Sequence, residues 1–217
     1  MGIKVAVYQG EENGVLGIGV KVLDDQANLA DLLAAWQPLC DDEDVYRIYG
    51  NCSSSPCKGC KINCCNTAYV IPDLIAFKNI AKQLNISYTE FIFNYFQADK
   101  YEKGLLRLEP EPCIFLADNI CTIYDIRTLI CRFYLCSNLL PSTEQFIYDI
   151  TWTGVAATQL FALEEDLIGP ISQNGLTSFD KLFVNLLAEY QDNLQVELFK
   201  KAKEYKDIPL KPFLKSL

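Results

Sequence analysis

The chain has 217 residues, a formal net charge of -9, a pI of about 4.6 and a mean hydropathy of +0.08. Half of its residues are hydrophobic, enough for one sizeable core without thiol staples, and its acidity disfavours a phosphate backbone or an anionic membrane surface, so neither a nucleic-acid nor a membrane partner is expected. Histidine is absent, which removes imidazole metal ligands, the usual neutral-pH general base and any Ser–His or Cys–His nucleophile pair.

The first twenty residues carry Gln9, Glu11, Glu12 and Asn13 where an export signal needs a basic start and an apolar run. With no apolar run of ~18 residues or more, the expected address is cytoplasmic, where thiols stay reduced. Ile3, Val5 and Val7, then Ile18, Val20 and Val22, alternate with a period of two around Asn13-Gly14, which predicts a β-hairpin with a tight turn. Leu29, Leu32, Leu33 and Trp36 follow at helical spacing, and Cys40 reads as a small apolar residue at a helix end.

Five cysteines then fall within fifteen residues: Cys52, Cys57, Cys60, Cys64 and Cys65, spaced C-x4-C-x2-C-x3-C-C. Ser53, Pro56 and Gly59 make this stretch a loop. Its two charges, Lys58 and Lys61, are both positive, the sign that lowers thiolate pKa and offsets a negative metal–thiolate centre. Pro72 and Asp73 suit the first turn of a helix with Phe77, Ile80, Ala81 and Leu84 on one face. Ser87 and Glu90 form a capping box for another, carrying Phe91, Ile92, Tyr95 and Phe96. These helices return the chain toward a second run, Cys113, Cys121, Cys131 and Cys136, spaced C-x7-C-x9-C-x4-C. Short extended pieces flank Asp118-Asn119 there, and Arg127 and Arg132 again set positive charge beside cysteine.

From Pro141 the pattern is plainly helical. Ser142 and Gln145 read as a cap, with Phe146, Ile150, Ala157, Leu160 and Phe161 on one face. After the Gly- and Asn-bearing loop 169–175, the spacing of Phe179, Leu182, Phe183, Leu186, Leu187, Tyr190 and Leu194 predicts one last long helix. Lys200, Lys201, Lys203 and Lys206 complement the dipole at its end. The expected fold is mainly α, with a small N-terminal β-hairpin and irregular cysteine-rich loops around a metal centre. Residues 1–48 form the hairpin and first helix, 49–140 the cysteine-cluster region and 141–217 the helices packed on it, as one compact unit.

Nine of the ten cysteines lie in the two runs, a density that points to a bound metal or cluster. The candidate ligands are Cys52, Cys57, Cys60, Cys64, Cys65, Cys113, Cys121, Cys131 and Cys136. Lys58, Lys61, Tyr124, Arg127 and Arg132 are the candidates for hydrogen-bonding and charging the sulfurs. Cys57-Lys58-Gly59-Cys60 with Cys64-Cys65, Cys113 with Phe115-Leu116, Cys121 with Tyr124 and Arg127, and Cys131-Arg132 with Cys136 together resemble the cysteine-cluster (CxxCxxCC) family of zinc- or iron-chelating proteins. The resemblance covers roughly residues 50–137. This chain has one residue more than the family usually has before the paired cysteines (Lys61-Ile62-Asn63), and Thr128 where the family usually has proline. More distantly, the run is similar to the cysteine module of flagellin lysine-N-methylases, which implies an iron–sulfur cluster.

The first expectation is therefore one or two 4Fe–4S clusters held by thiolates, since four cysteines satisfy one cubane and eight would satisfy two. A zinc ion in a four-cysteine site is the alternative, ahead of disulfides or free thiols. For function, a redox, structural or metal-handling centre stands against an iron–sulfur-dependent modifying enzyme. An enzyme would draw on Tyr124, Asp125, Arg127 and Arg132.

Overall fold

The computed structural model describes residues 2–50, 56, 58–60, 64–66 and 69–216, with the side chains of 215 and 216 left aside. Strands β1 (Val5–Glu12) and β2 (Val15–Val22) pair antiparallel in the register Val5↔Val22 to Glu12↔Val15. Asn13 and Gly14 turn between them with φ of 53° and 80°, the double left-handed geometry of a two-residue hairpin. The far edge of β2 meets the chain again: Ile18 donates to Asn138 O at 3.0 Å, and Leu140 donates to Ile18 O at 2.9 Å. Gly17 permits this approach, because a Cβ there would lie 2.7 Å from Asn138 O.

Helix α1 (Leu29–Trp36) is opened by a capping box between Asn28 and Asp31 and buries Leu29, Leu32, Leu33 and Trp36. A 3-10 turn, Gln37–Asp41, carries Cys40 into the core, and α2 (Glu43–Tyr49) follows. Beyond the first cysteine run come α3 (Leu74–Leu84), α4 (Tyr88–Tyr95) and the single turn α5 (Ala98–Tyr101). The capping box at the head of α4 joins Ser87 and Glu90 in both directions. Asp73 is the N-cap of α3, so Pro72 stands one residue ahead of the cap and not inside the first turn.

The second cysteine run forms the two-residue strands β3 (Leu116–Ala117) and β4 (Ile120–Cys121), a 3-10 turn at Tyr124–Ile126 and the short helix α6 (Leu129–Phe133). Asp118 and Asn119, with φ of 50° and 61°, make the turn between β3 and β4. Helix α7 (Pro141–Glu164) is the longest element and is buried around much of its circumference. Its cap differs from the Ser142–Gln145 expectation. Pro141 occupies the first position, and the Ser142 hydroxyl donates to Glu12 Oε2 at 2.6 Å, tying the helix to the hairpin tip. The expected last long helix is two, α8 (Ser178–Tyr190) and α9 (Leu194–Lys201). Asn193 breaks the run by accepting from Gln195 N at 2.7 Å and capping α9, while Leu182 and Leu194 stay in solvent.

Two buried polar connections lock these layers. Gln159 on α7 accepts from Leu106 N at 3.0 Å and donates to Gly104 O at 2.8 Å. Lys100 on α5 donates to Asp180 on α8 at 2.7 Å, with both side chains about 5% exposed or less. Burial pushes the Asp180 carboxyl up, but Lys100 and the Thr177 donors outweigh it and hold the group below the usual carboxylate range. A carboxyl with a lower pKa folded than unfolded stabilises above its unfolded pKa and loses that stabilisation as the pH falls through the folded one. Lys100→Met is therefore expected to cost about 3 kcal/mol at neutral pH by leaving the buried Asp180 carboxylate without its counter-charge. Urea unfolding of variant and parent at neutral pH and below pH 4 checks this, with the difference shrinking at the lower pH.

Candidate metal centre

The site is built on a carboxylate that touches no cysteine. Asp73 is fully buried and accepts from Ala76 N at 3.1 Å and Leu129 N at 2.9 Å, the first turns of α3 and α6. It also accepts the Thr128 hydroxyl at 3.0 Å and the Tyr205 hydroxyl at 3.1 Å. Its own N–H donates to Thr128 Oγ1 at 3.0 Å. Burial pushes its carboxyl up against these donors. Gly154 lets α7 pass directly behind, since a Cβ there would lie 2.7 Å from that of Asp73. This arrangement fixes the start of α6, and with it Cys131.

The rest of the second run folds on short-range hydrogen bonds. Leu116 N donates to Cys113 O at 2.8 Å, Thr122 N to Phe115 O at 2.8 Å and Cys131 N to Thr128 O at 3.0 Å. The first run docks where Cys113 N donates to Cys65 O at 2.7 Å. As a result Cys60, Cys64, Cys65, Cys113, Cys121, Cys131 and Cys136 all line one cavity of about 80 Å³. None of the eight described cysteines is in a disulfide. Cys40 lies apart, fully buried, with its Sγ 3.4 Å from Arg132 O. Cys52, Cys57 and Lys61 lie outside the described residues.

The remaining walls are mostly apolar, among them Val70, Ile80, Leu108, Phe115 and Ile123, and no carboxylate is among the described lining residues. Arg127 is the charged residue among the described lining residues. Its guanidinium lies 3.9 Å from the centre of the Tyr124 ring, and Tyr124 donates to Asp41 Oδ1 at 2.9 Å. Lys58 approaches the same ring at 5.7 Å. Burial, reinforced by Asp41, pushes the Tyr124 hydroxyl up to about 12. Arg132 turns away from the cavity, 5.6 Å from the Tyr205 ring and beside the Asp73 network, and Asp125 is exposed.

The thiols are electrostatically unequal. The Cys64 side chain hydrogen-bonds Cys65 and, helped by Arg127 against burial, lowers Cys65 to about 6. Burial pushes Cys113, Cys121 and, furthest, Cys131 up, and each is raised further by the charge of neighbouring cysteines. Cys65, Cys113, Cys121 and Cys131 all line the same cavity, and the charge of Cys65 raises each of the other three. No group of three or more cysteine, aspartate or glutamate side chains among the described residues is arranged to hold a single ion. Sulfur donors, an arginine and a small apolar-walled void nonetheless fit a thiolate-held metal group, because soft ligands select zinc or iron–sulfur over hard cations. Asn119 and Tyr134 also line the cavity, and nothing in their spacing marked them beforehand.

In the metal-free protein, iodoacetamide is expected to modify Cys65 first, with a rate rising through about pH 6. Cys131 is expected to react last among the thiols lining the cavity. Peptide mass spectrometry of timed samples checks the order, and Arg127→Leu moves the Cys65 midpoint upward.

Residues 56–153 match the family model CxxCxxCC, described as "Putative zinc- or iron-chelating domain". No curated protein and no solved structure matches the chain. No described helix is long and apolar enough to cross a membrane.

Proposed function

We propose that this chain, whose residues 56–153 carry the zinc- or iron-chelating CxxCxxCC domain, holds a 4Fe–4S cluster on thiolates from its two cysteine runs. The observation that carries the reading is the set of seven described thiols around a void of about 80 Å³. A four-cysteine zinc site draws its sulfurs to about 2.3 Å from one ion and leaves no such space. An iron–sulfur core has volume of its own and spreads its thiolates around it. The apolar walls support the same reading, since burial and a few hydrogen bonds to sulfur set the potential of such a cluster.

Cys65, Cys113, Cys121 and Cys131 are the first ligands to consider, because all four line the cavity and the charge of Cys65 reaches each of the other three. When bound, the cluster supplies one-electron chemistry. Arg127 offsets its negative charge, and the Tyr124–Asp41 bond holds the ring on which Arg127 lies. A reducing cytoplasm suits thiolates that must stay unoxidised. The role that follows is electron carriage or metal handling, with neither nucleic acid nor membrane as partner.

Protein purified without oxygen is expected to be brown, with iron and acid-labile sulfide in equal amounts. A colourless protein with stoichiometric zinc would replace the cluster with the zinc alternative, and absence of both metals would defeat thiolate ligation altogether. Cys131→Ser is expected to lose most of the bound metal. Cys40→Ser, outside the cavity lining, is expected to keep it.

A further inference from the structure

The outer edge of β1 is unused. Leu23 N donates to Lys4 O at 2.8 Å, so Lys4 and every second residue after it turn their backbone groups toward β2. Ile18 stands opposite Gln9 and directs its own groups to Asn138 and Leu140, beyond the far side of β2. Val7, Gln9 and Glu11 therefore point N–H and C=O away from the hairpin, and none of these groups has a hydrogen-bond partner among the described residues. Val7 is half-buried, and Gln9 and Glu11 are exposed. Long free edges are ordinarily interrupted by a proline, a bulge or an inward charge, yet β1 runs from Val5 to Gly10 in unbroken register with none of them.

Beside this edge lies a groove of about 400 Å³. Val5, Val7 and Ile18 line it from the hairpin, and Ala35, Leu39 and Val45 line it from α1, the 3-10 turn and α2. Tyr49 donates to Gln9 Oε1 at 2.7 Å, a side-chain bond that leaves the Gln9 backbone groups open. Unpaired donors and acceptors along a strand match another extended backbone, and an apolar groove beside them matches its alternate side chains. We infer that this groove binds an extended segment of a partner protein, added to β1 as a third strand, with apolar side chains at every second position entering the groove and basic residues among the others. The basic residues follow from Asp42, the charged residue among the described lining residues, and from Glu11 on the edge, both exposed in a chain of net charge -9. A second copy fits less well. Pairing two β1 edges about a two-fold axis sets both α1 helices on one sheet face, where Ala35 and Leu39 already flank the edge.

The probe is the fluorescein-labelled peptide Lys-Val-Thr-Val-Thr-Val-Lys with blocked ends. Its fluorescence anisotropy is expected to rise and saturate with the full chain, and a version with glutamate for lysine is expected to bind about tenfold more weakly. N-methylation of one alternate set of its amides is expected to abolish binding, and methylation of the other set to leave it within about twofold, because only one set faces β1. On saturation, amide exchange at Val7 and Gln9 is expected to slow, while Ala6 and Tyr8, already in the ladder with β2, stay as they were. Val7→Pro removes an N–H that β2 does not use, and Ala35→Phe fills the groove; each is expected to lose the peptide. Absence of saturation, equal effects of the two methylated sets, or unchanged exchange at Val7 and Gln9 overturns the inference. So does protection of those two amides in a peptide-free dimer, which would give the edge to a second copy.

Discussion

The buried carboxylate of Asp73 is the constraint on which the rest of the molecule turns. One side chain caps α3, receives the first turn of α6, holds the hydroxyls of Thr128 and Tyr205 and lies against Gly154 of α7. A carboxylate deprived of water is costly unless its lone pairs are used, and here four donors from three distant parts of the chain use them. The cost of burial becomes positional accuracy. Three backbone segments far apart in sequence must converge for the acid to be satisfied, and the convergence leaves Cys131 facing the second loop.

Charge is arranged by depth. The chain is acidic as a whole, yet the thiol cavity has Arg127 in its lining and no described carboxylate. Asp41 comes closest to the site in function, and it acts at one remove by accepting the Tyr124 hydroxyl. Thiolates crowded into an apolar space repel one another, which is why burial and neighbouring sulfurs push Cys113, Cys121 and Cys131 up together. Cys65 is the exception because a thiol donor and a guanidinium both favour its charged form. A metal group resolves the remaining repulsion by exchanging protons for positive charge.

Features set by neighbours in sequence were legible before any coordinates. Asn13-Gly14 announced the hairpin, Ser87 and Glu90 the cap of α4, and the density of cysteines the gathering of thiols around one cavity. What could not be read depends on partners far along the chain. Asp73 looked like one more acid at a helix start, because Thr128, Leu129 and Tyr205 have no sequence relation to it. Thr128 was a visible departure from the proline usual in the family. The structure shows what the hydroxyl does: it both donates to Asp73 and accepts from it. The apolar period from Leu187 through Tyr190 to Leu194 hid a helix break, since Asn193 caps more strongly than the spacing suggests. Ile80 read as one apolar position on a helix face, and with Val70 and Leu108 it is both core and cavity wall.

The two cysteine runs are not equivalent in how they are held. The second is a built object: β3 and β4 pair, α6 is pinned by Asp73, and backbone hydrogen bonds join Cys113 to Leu116 and Thr128 to Cys131. Among the described residues, the first run meets it through the Cys113–Cys65 backbone bond and the approach of Lys58 to Tyr124. A bound metal group spanning both runs would contribute its binding energy there, because one side of its ligand set is already in place. The second run, held by strand pairing and by Asp73, is the template on which such a group would be built.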